Sequence, residues 1–238
     1  MMRKKVITTT AALAAVAILL AACGGNSGGR SPSGSATNAA GSSLSSPAGG
    51  QTLTIARPAG MLTFDPTKAN ENMSIQTFSL IYDTLYQTSP DGKSLEPSLA
   101  TGYTLSSDDL TWTFTLRSGV KFSDGSPLTS KDVKFSYERN AGDQSNSFAF
   151  MDADISSIDT PNPTTVVFHL KQPSAAFLAQ SALYAHSVLP DNLESKSSAE
   201  FFANPVGSGP FKLEKWTKGQ EVDLVKNDNY WQSPQPKL

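Results

Sequence analysis

The fold is decided by the stretch TWTFTL at Thr111–Leu116. Trp112, Phe114 and Leu116 alternate with threonines, and this period of two predicts a β-strand with one buried face. The turn residues Ser107-Asp108-Asp109 precede it. We therefore expect residues 102–105 to pair back onto the strand as a hairpin. This pairing predicts an antiparallel sheet in the middle of the chain.

Outward from this stretch, similar patterns predict further strands at residues 52–55, 120–122, 155–158, 165–170, 211–216 and 221–225. The apolar spacing of Ile75, Phe78, Tyr82 and Leu85 predicts a helix, with Asn72 or Ser74 as its N-cap. Three more helices are expected at residues 129–140, 174–184 and within 194–203. The first of these begins at a capping box, Thr129 to Asp132. These patterns therefore predict a mixed α/β protein.

The N-terminus has the layout of a secretory signal. Arg3, Lys4 and Lys5 precede an apolar run, and LAAC at residues 20–23 resembles a bacterial lipobox. We expect residues 1–22 to be removed and Cys23, the only cysteine, to be acylated. An uncleaved membrane anchor is the alternative, although the apolar run is short for one. These features predict a protein held at the extracytoplasmic side of a membrane.

Residues 23–50 follow as a tether rich in Gly, Ser and Ala, whose composition predicts disorder. Without the three N-terminal cations, the chain carries a formal charge of −5, three units below the −2 of the whole sequence. A mildly acidic chain without basic runs argues against binding of nucleic acid. Its single cysteine excludes an internal disulfide, so stability must come from a packed core.

No motif for catalysis, metal binding or phosphate binding is present in the sequence. Gly207-Ser208-Gly209 lacks the first glycine of a nucleophile elbow, because Val206 occupies that region, and a tight turn explains it better. His169 and His186 have no ligand neighbours at metal-site spacing. We expect neither a cofactor nor a metal. Aromatic residues on loops, such as Phe148 and Phe150, remain candidates for a small-molecule pocket.

Several segments together resemble the extracellular solute-binding proteins of peptide/nickel-type ABC importers (family 5). The central one runs from Leu110 through GVKFSDGSPLT at residues 119–129. The others, in family order, are FDP at 64–66, LIYDTL at 80–85, VGSGPFKL at 206–213 and NYW at 229–231. The resemblance covers residues 52–238.

The resemblance implies a two-lobed periplasmic-binding-protein-like fold (class II) with an extra small domain. The first lobe would comprise residues 51–85 and 188–238, and the inserted domain residues 86–187. Family members are about twice as long, so we expect this sequence to lack the second lobe. The family also implies monomers that capture peptides or other small solutes without covalent chemistry and deliver them to a permease.

The family further implies which residues face the ligand. These are Met61, Leu62, Asn70, Asn72, Phe148, Phe150, Tyr184 and His186. Three other functions remain open: a surface sensor or interaction lipoprotein of the same fold, a truncated fragment without a competent site, and a secreted hydrolase. The resemblance does not identify the ligand, since peptides, nickel chelates, sugars and opines are all bound within the family.

Overall fold

This computed structural model describes residues 52–237, which lie within one compact unit, Pro47–Leu238. The predicted signal, the predicted acylation site Cys23 and the predicted tether at residues 23–50 lie outside the described residues. Within the described residues, no helix is long and apolar enough to span a bilayer.

Strands and helices alternate irregularly along the chain. The strands are β1 (Tyr86–Thr88), β2 (Leu95–Pro97), β3 (Ala100–Leu105), β4 (Thr111–Leu116), β5 (Ile155–Asn162), β6 (Thr165–Leu170), β7 (Phe211–Thr217) and β8 (Glu221–Lys226). The α-helices are α1 (Asn72–Phe78), α2 (Ser130–Gly142), α3 (Phe177–Gln180) and α4 (Ser198–Ala203). Short 3₁₀ turns lie at Ala149–Asp152, Tyr184–His186 and Asp191–Ser195.

A four-stranded antiparallel sheet, in the order β3-β4-β6-β5, is the largest in the described part of the chain. The predicted hairpin is confirmed, since Tyr103 pairs with Phe114 across β3 and β4. Trp112, Phe114 and Leu116 are at most 5% exposed, as the alternation predicts. The strands β1 and β2 form a separate two-stranded sheet, as do β7 and β8.

Helix α2 covers the buried face of this sheet. Its predicted capping box is present, with the Asp132 carboxylate accepting a hydrogen bond from the Thr129 N–H at 2.6 Å. The helix buries Val133 and Tyr137, and the Tyr137 ring lies 4.7 Å from that of Phe168 on β6. Aromatic pairs of this kind add to the apolar burial that stabilises the core.

Two hydrophobic clusters hold the described chain together. The sheet cluster takes its buried residues from Leu85 to Val188. The second cluster joins segments on both sides of that range, namely Met61–Tyr82 and Leu189–Phe202, and β7 and β8 pack against it. The boundaries between the clusters therefore lie between Tyr82 and Leu85 and between Val188 and Leu189.

Two predicted strands are wrong. Residues 52–55 form no regular secondary structure and pair with no strand among the described residues, and Leu53 and Ile55 are more than 60% exposed. Residues 120–122 contribute only an isolated bridge between Lys121 and Pro127. In both places the local pattern suits a strand, but a strand also needs a hydrogen-bonding partner.

Helix α1 is shorter than predicted, and its N-cap is Glu71. It ends at Phe78 because the chain that follows bonds to another segment: the carbonyl of Leu80 accepts from the Phe211 N–H at 3.0 Å and that of Ile81 from the Gly209 N–H at 2.7 Å. These tertiary hydrogen bonds use carbonyls that a longer helix would need for itself.

The helix predicted at residues 174–184 is likewise reduced to α3, and no side chain caps it. The carbonyl of Ser181 accepts a hydrogen bond from the Tyr86 N–H at 3.3 Å, and the Ser181 hydroxyl donates to the Leu178 carbonyl at 2.7 Å. Both bonds compete with continuation of the helix.

Candidate functional site

The loop before α1 presents one apolar side chain outward. The buried Ser74 hydroxyl oxygen accepts hydrogen bonds from the N–H groups of Leu62 at 3.1 Å and Thr63 at 3.2 Å. These bonds fix the backbone so that Met61 turns into the second cluster and Leu62 stays 68% exposed. An exposed leucine on a fixed backbone can contact a ligand without a large ordering cost.

An aromatic row lies among three of the family-implied residues, Phe148, Phe150 and Tyr184. The Phe148 ring lies 6.4 Å from Phe150 and 5.4 Å, edge to face, from Tyr184. Tyr184 continues inward to Phe78 of α1 at 5.7 Å. The row therefore begins at Phe150, which is 66% exposed, and its inner ring, Tyr184, packs on the buried Phe78.

Hydrogen bonds hold the segment carrying Phe148 against the loop after Asp65. The Ser147 N–H donates to the Thr67 carbonyl at 2.9 Å, and the Thr67 hydroxyl donates to Asn146 Oδ1 at 3.2 Å. Asn146 in turn donates to the carbonyls of Arg139 and Asn140 at the end of α2, at 3.0 Å each. These hydrogen bonds fix the backbone just before Phe148, although the only regular structure in the segment is the 3₁₀ turn Ala149–Asp152.

Asn70 and Asn72 are both exposed, and their side-chain amides make no hydrogen bond to residues 52–237. Between them lies Glu71, which the sequence reasoning missed. Its Oε2 accepts from the Ser74 N–H at 2.8 Å, and Oε1 is enclosed without a partner in the described chain. Burial, reinforced by the negative charge of Glu71, raises the pKa of the Tyr184 hydroxyl. The only sequence signal for Glu71 was its position between Asn70 and Asn72, two residues that the family resemblance implies.

His186 is placed differently from the other implied residues. Its ring is fully buried, stacked 4.4 Å from Tyr137, with Nδ1 2.8 Å from the Gln180 carbonyl and Nε2 2.9 Å from Asp152 Oδ1. Both ring nitrogens are therefore engaged inside the protein. No part of the side chain is left to contact a ligand, so we leave His186 out of the candidate site.

The arrangement nearest to a nucleophile site lies on the other face of the sheet. His169 approaches Asp159 at 3.0 Å and the Thr111 hydroxyl at 3.4 Å. The side chains of His169 and Asp159 are 37% and 65% exposed, so water screens their interaction. The Thr111 hydroxyl is too far from the ring nitrogen for a short hydrogen bond between a nucleophile and its base, so this arrangement does not support a nucleophile site.

The described residues contain no group of three or more His, Cys, Asp or Glu side chains suited to a metal ion. Met61 lies in the second cluster and is left out for the same reason as His186, so the candidate site comprises Leu62, Asn70, Asn72, Phe148, Phe150 and Tyr184, with Glu71 added. Its chemistry is that of apolar contact and hydrogen bonding, which is the chemistry of binding.

Comparison with known proteins agrees with this chemistry. The family model described as "Bacterial extracellular solute-binding proteins, family 5 Middle" matches residues 94–238. The glutathione-binding protein GsiB of Salmonella paratyphi A is 33% identical over 78% of this chain. The probable D,D-dipeptide-binding periplasmic protein DdpA of Escherichia coli is 35% identical over 75% of it.

Among solved structures, the periplasmic binding protein DppA from Helicobacter pylori, in complex with the peptide STSA, superimposes with a TM-score of 0.68 at 31% identity. The match covers 75% of this chain and 39% of that one. The chain spans about a third of the curated relatives it matches, 36% of each. These findings confirm the predicted family and the mixed α/β fold class.

Proposed function

The chain belongs to family 5 of the bacterial extracellular solute-binding proteins, and we propose that it captures a peptide or similar small solute outside the cytoplasm for an ABC importer. The relatives support this proposal by their names, which describe binding proteins for glutathione and dipeptides. In this proposal the protein does no covalent chemistry, acts as a monomer and passes its solute to the permease.

The observation that carries the proposal is the aromatic row from Phe150 through Phe148 to Tyr184. Its outer ring is 66% exposed, while its inner ring packs on the core. Anchored aromatic rings offer large apolar contact at low entropic cost, and the amides of Asn70 and Asn72 would orient a polar solute. A peptide has both kinds of surface, since its side chains are varied and its backbone is polar.

We further propose the predicted division of the chain, with residues 51–85 and 188–238 in a lobe and residues 86–187 in an inserted domain. The two hydrophobic clusters support it because they separate between Tyr82 and Leu85 and after Val188, within a few residues of the proposed boundaries. In this arrangement the candidate site is one wall of a cleft, and a second lobe would close over the solute. Ligand stabilises a closed state only by contacting both walls.

The proposed location is the outer side of the cytoplasmic membrane, with acylated Cys23 as the anchor and residues 23–50 as the tether. More than one acyl chain would make the attachment stable. Labelling with a radioactive fatty acid would test this part separately. Incorporation that disappears in Cys23→Ser supports the anchor, and equal incorporation in both proteins contradicts it.

Thermal unfolding of the whole chain in the presence of a library of di- to tetrapeptides tests the binding function. We expect a subset of peptides to raise Tm, and calorimetry then gives Kd. Phe150→Ala and Leu62→Ala should each weaken Kd about tenfold, which corresponds to about 1.4 kcal/mol. Both side chains are exposed, so Tm without peptide should not change.

Leu105→Ala is the matched control, because Leu105 is an exposed leucine on β3. Equal weakening by Leu62→Ala and Leu105→Ala would argue against the site. Failure of every peptide to raise Tm, together with capture of a regulator, would favour the sensor function.

A further inference from the structure

We propose that a second site on this protein, formed by Arg117 and Trp231, binds small carboxylates. The two residues line a surface cavity of about 360 Å³ together with Thr101, Ser118, Gly119 and Val120. Cavities that hold small molecules begin at about 300 Å³. The cavity shares no residue with the candidate site, so the inference is independent of the proposed function.

Arg117 is held in place but its charge is not neutralised. Its Nε–H donates to the Ser98 carbonyl at 2.7 Å, and its backbone N–H donates to the Leu99 carbonyl at 2.8 Å. Among the described residues, no carboxylate lies within ion-pair distance of the guanidinium, and Nη1 and Nη2 make no hydrogen bond there. Two parallel N–H donors on a fixed fork match the two oxygens of a carboxylate.

Trp231 supplies a rigid apolar wall beside this fork. Its indole N–H donates to Asp83 Oδ2 at 2.9 Å, and the same oxygen accepts from the Ser208 hydroxyl at 2.9 Å. The guanidinium carbon of Arg117 lies 4.9 Å from the centre of the indole ring. Since the indole is fixed at its N–H edge, the part of the ring that lines the cavity offers apolar contact to a ligand whose carboxylate meets Arg117.

The turn after Arg117 adds further donors. The N–H groups of Ser118 and Gly119 make no backbone hydrogen bond in the described chain, and both residues are exposed. Gly119 has φ +78°, a backbone conformation that favours glycine. The turn therefore carries no side chain at this position. The cavity therefore combines a fixed cation, unused amides and an aromatic face. This combination selects a monocarboxylate with a flat apolar body.

Benzoate and benzamide make a matched pair of probes, because they share a shape and differ in charge. The whole chain is labelled with ¹⁵N, and the indole N–H signals of its three tryptophans and the amides of residues 117–120 are followed at constant ionic strength. We expect saturable shifts at Trp231 and the turn with benzoate, and at least tenfold weaker binding of benzamide. Arg117→Gln should weaken benzoate at least tenfold, and Arg117→Lys should restore only part of the affinity, since lysine lacks the fork.

Equal shifts with benzoate and benzamide would overturn the proposal, as would unchanged benzoate binding in Arg117→Gln. If Arg117→Gln does not fold, the comparison of benzoate with benzamide on the unmodified chain still tests the proposal. A tetraglutamate peptide forms the third arm. Tighter binding of this peptide than of benzoate would mean that the cavity receives an acidic protein segment, and would also reject a small-molecule site.

Discussion

Asp152 Oδ1 lies within hydrogen-bond distance of His186 Nε2, at 2.9 Å, and the two side chains are 1% and 0% exposed. Asp152 also accepts a hydrogen bond from Asn140 Nδ2 at 2.6 Å, so the pair ties two 3₁₀ turns to helix α2. One turn carries Phe150 and the other carries Tyr184. The Asp152–His186 pair therefore helps to fix the positions of Phe150 and Tyr184, the outer and inner rings of the aromatic row.

Replacing His186 with alanine should destabilise the protein by about 3–5 kcal/mol, because it leaves the Asp152 carboxylate buried without its partner. Urea unfolding measures the loss. His169→Ala is the control: its partner Asp159 is 65% exposed, and such surface pairs contribute at most about 1 kcal/mol. Similar losses of unfolding free energy in the two variants would show that the buried pair contributes no more stability than the exposed pair.

The second prediction concerns the ion pair between Asp65 and Arg139. The guanidinium donates to both carboxylate oxygens, at 2.9 and 2.5 Å, and the side chains are 8% and 15% exposed. Arg139→Met should cost about 3 kcal/mol of unfolding free energy, since the buried Asp65 carboxylate then loses its charged partner.

For comparison, Lys134→Met breaks an exposed pair with Glu138 on the same helix and should cost less than about 0.5 kcal/mol. Chemical denaturation of both variants provides the test. A loss for Arg139→Met no larger than for Lys134→Met would contradict the prediction.

The third prediction concerns Gly207, which lies against the chain after α1. A Cβ atom there would come within 2.2 Å of the Ile81 carbonyl oxygen and 2.7 Å of the Tyr82 ring. Gly207→Ala should therefore cost about 3 kcal/mol or prevent folding, because backbone cannot move aside easily. Gly102→Ala meets nothing within 4 Å and should unfold like the unmodified protein. Circular dichroism during thermal unfolding distinguishes these outcomes.

The fourth prediction is a pH dependence from Asp83. Burial of its carboxyl group raises its pKa above the usual 3.8, although bonds from Trp231 and Ser208 oppose the shift. A carboxyl group whose pKa is higher in the folded protein stabilises it most at low pH, and this contribution is lost as pH rises through the folded-state pKa. The stability of the unmodified protein should therefore fall relative to Asp83→Asn as pH increases from about 4 to 7.

Urea unfolding of the two proteins across this pH range measures the difference directly. A constant difference would mean that Asp83 titrates alike in both states. A difference that grows in favour of the unmodified protein would show that the hydrogen bonds outweigh burial.

Local patterns predicted the elements whose stability depends on near neighbours. The alternation in Thr111–Leu116, the capping box at Thr129 and the turn between β7 and β8 each specify a structure within a few residues. Among the family-implied residues, Phe148 and Phe150 were indicated as aromatic residues on a loop, whereas Met61, Leu62, Asn70 and Asn72 were reached only through the resemblance. Nothing in the sequence near Leu62 shows that Ser74 would fix its backbone.

The sequence by itself determined the family, the mixed α/β class and most strands, because periodicity and ordered motifs are local properties. Tertiary structure alone decided that α1 ends at Phe78, that residues 52–55 have no strand partner in the described part of the chain, and that His186 is an interior partner of Asp152. Each of these depends on hydrogen-bond partners far away in the chain. Such a partner is chosen by the packing of the whole fold, so no window of sequence contains it.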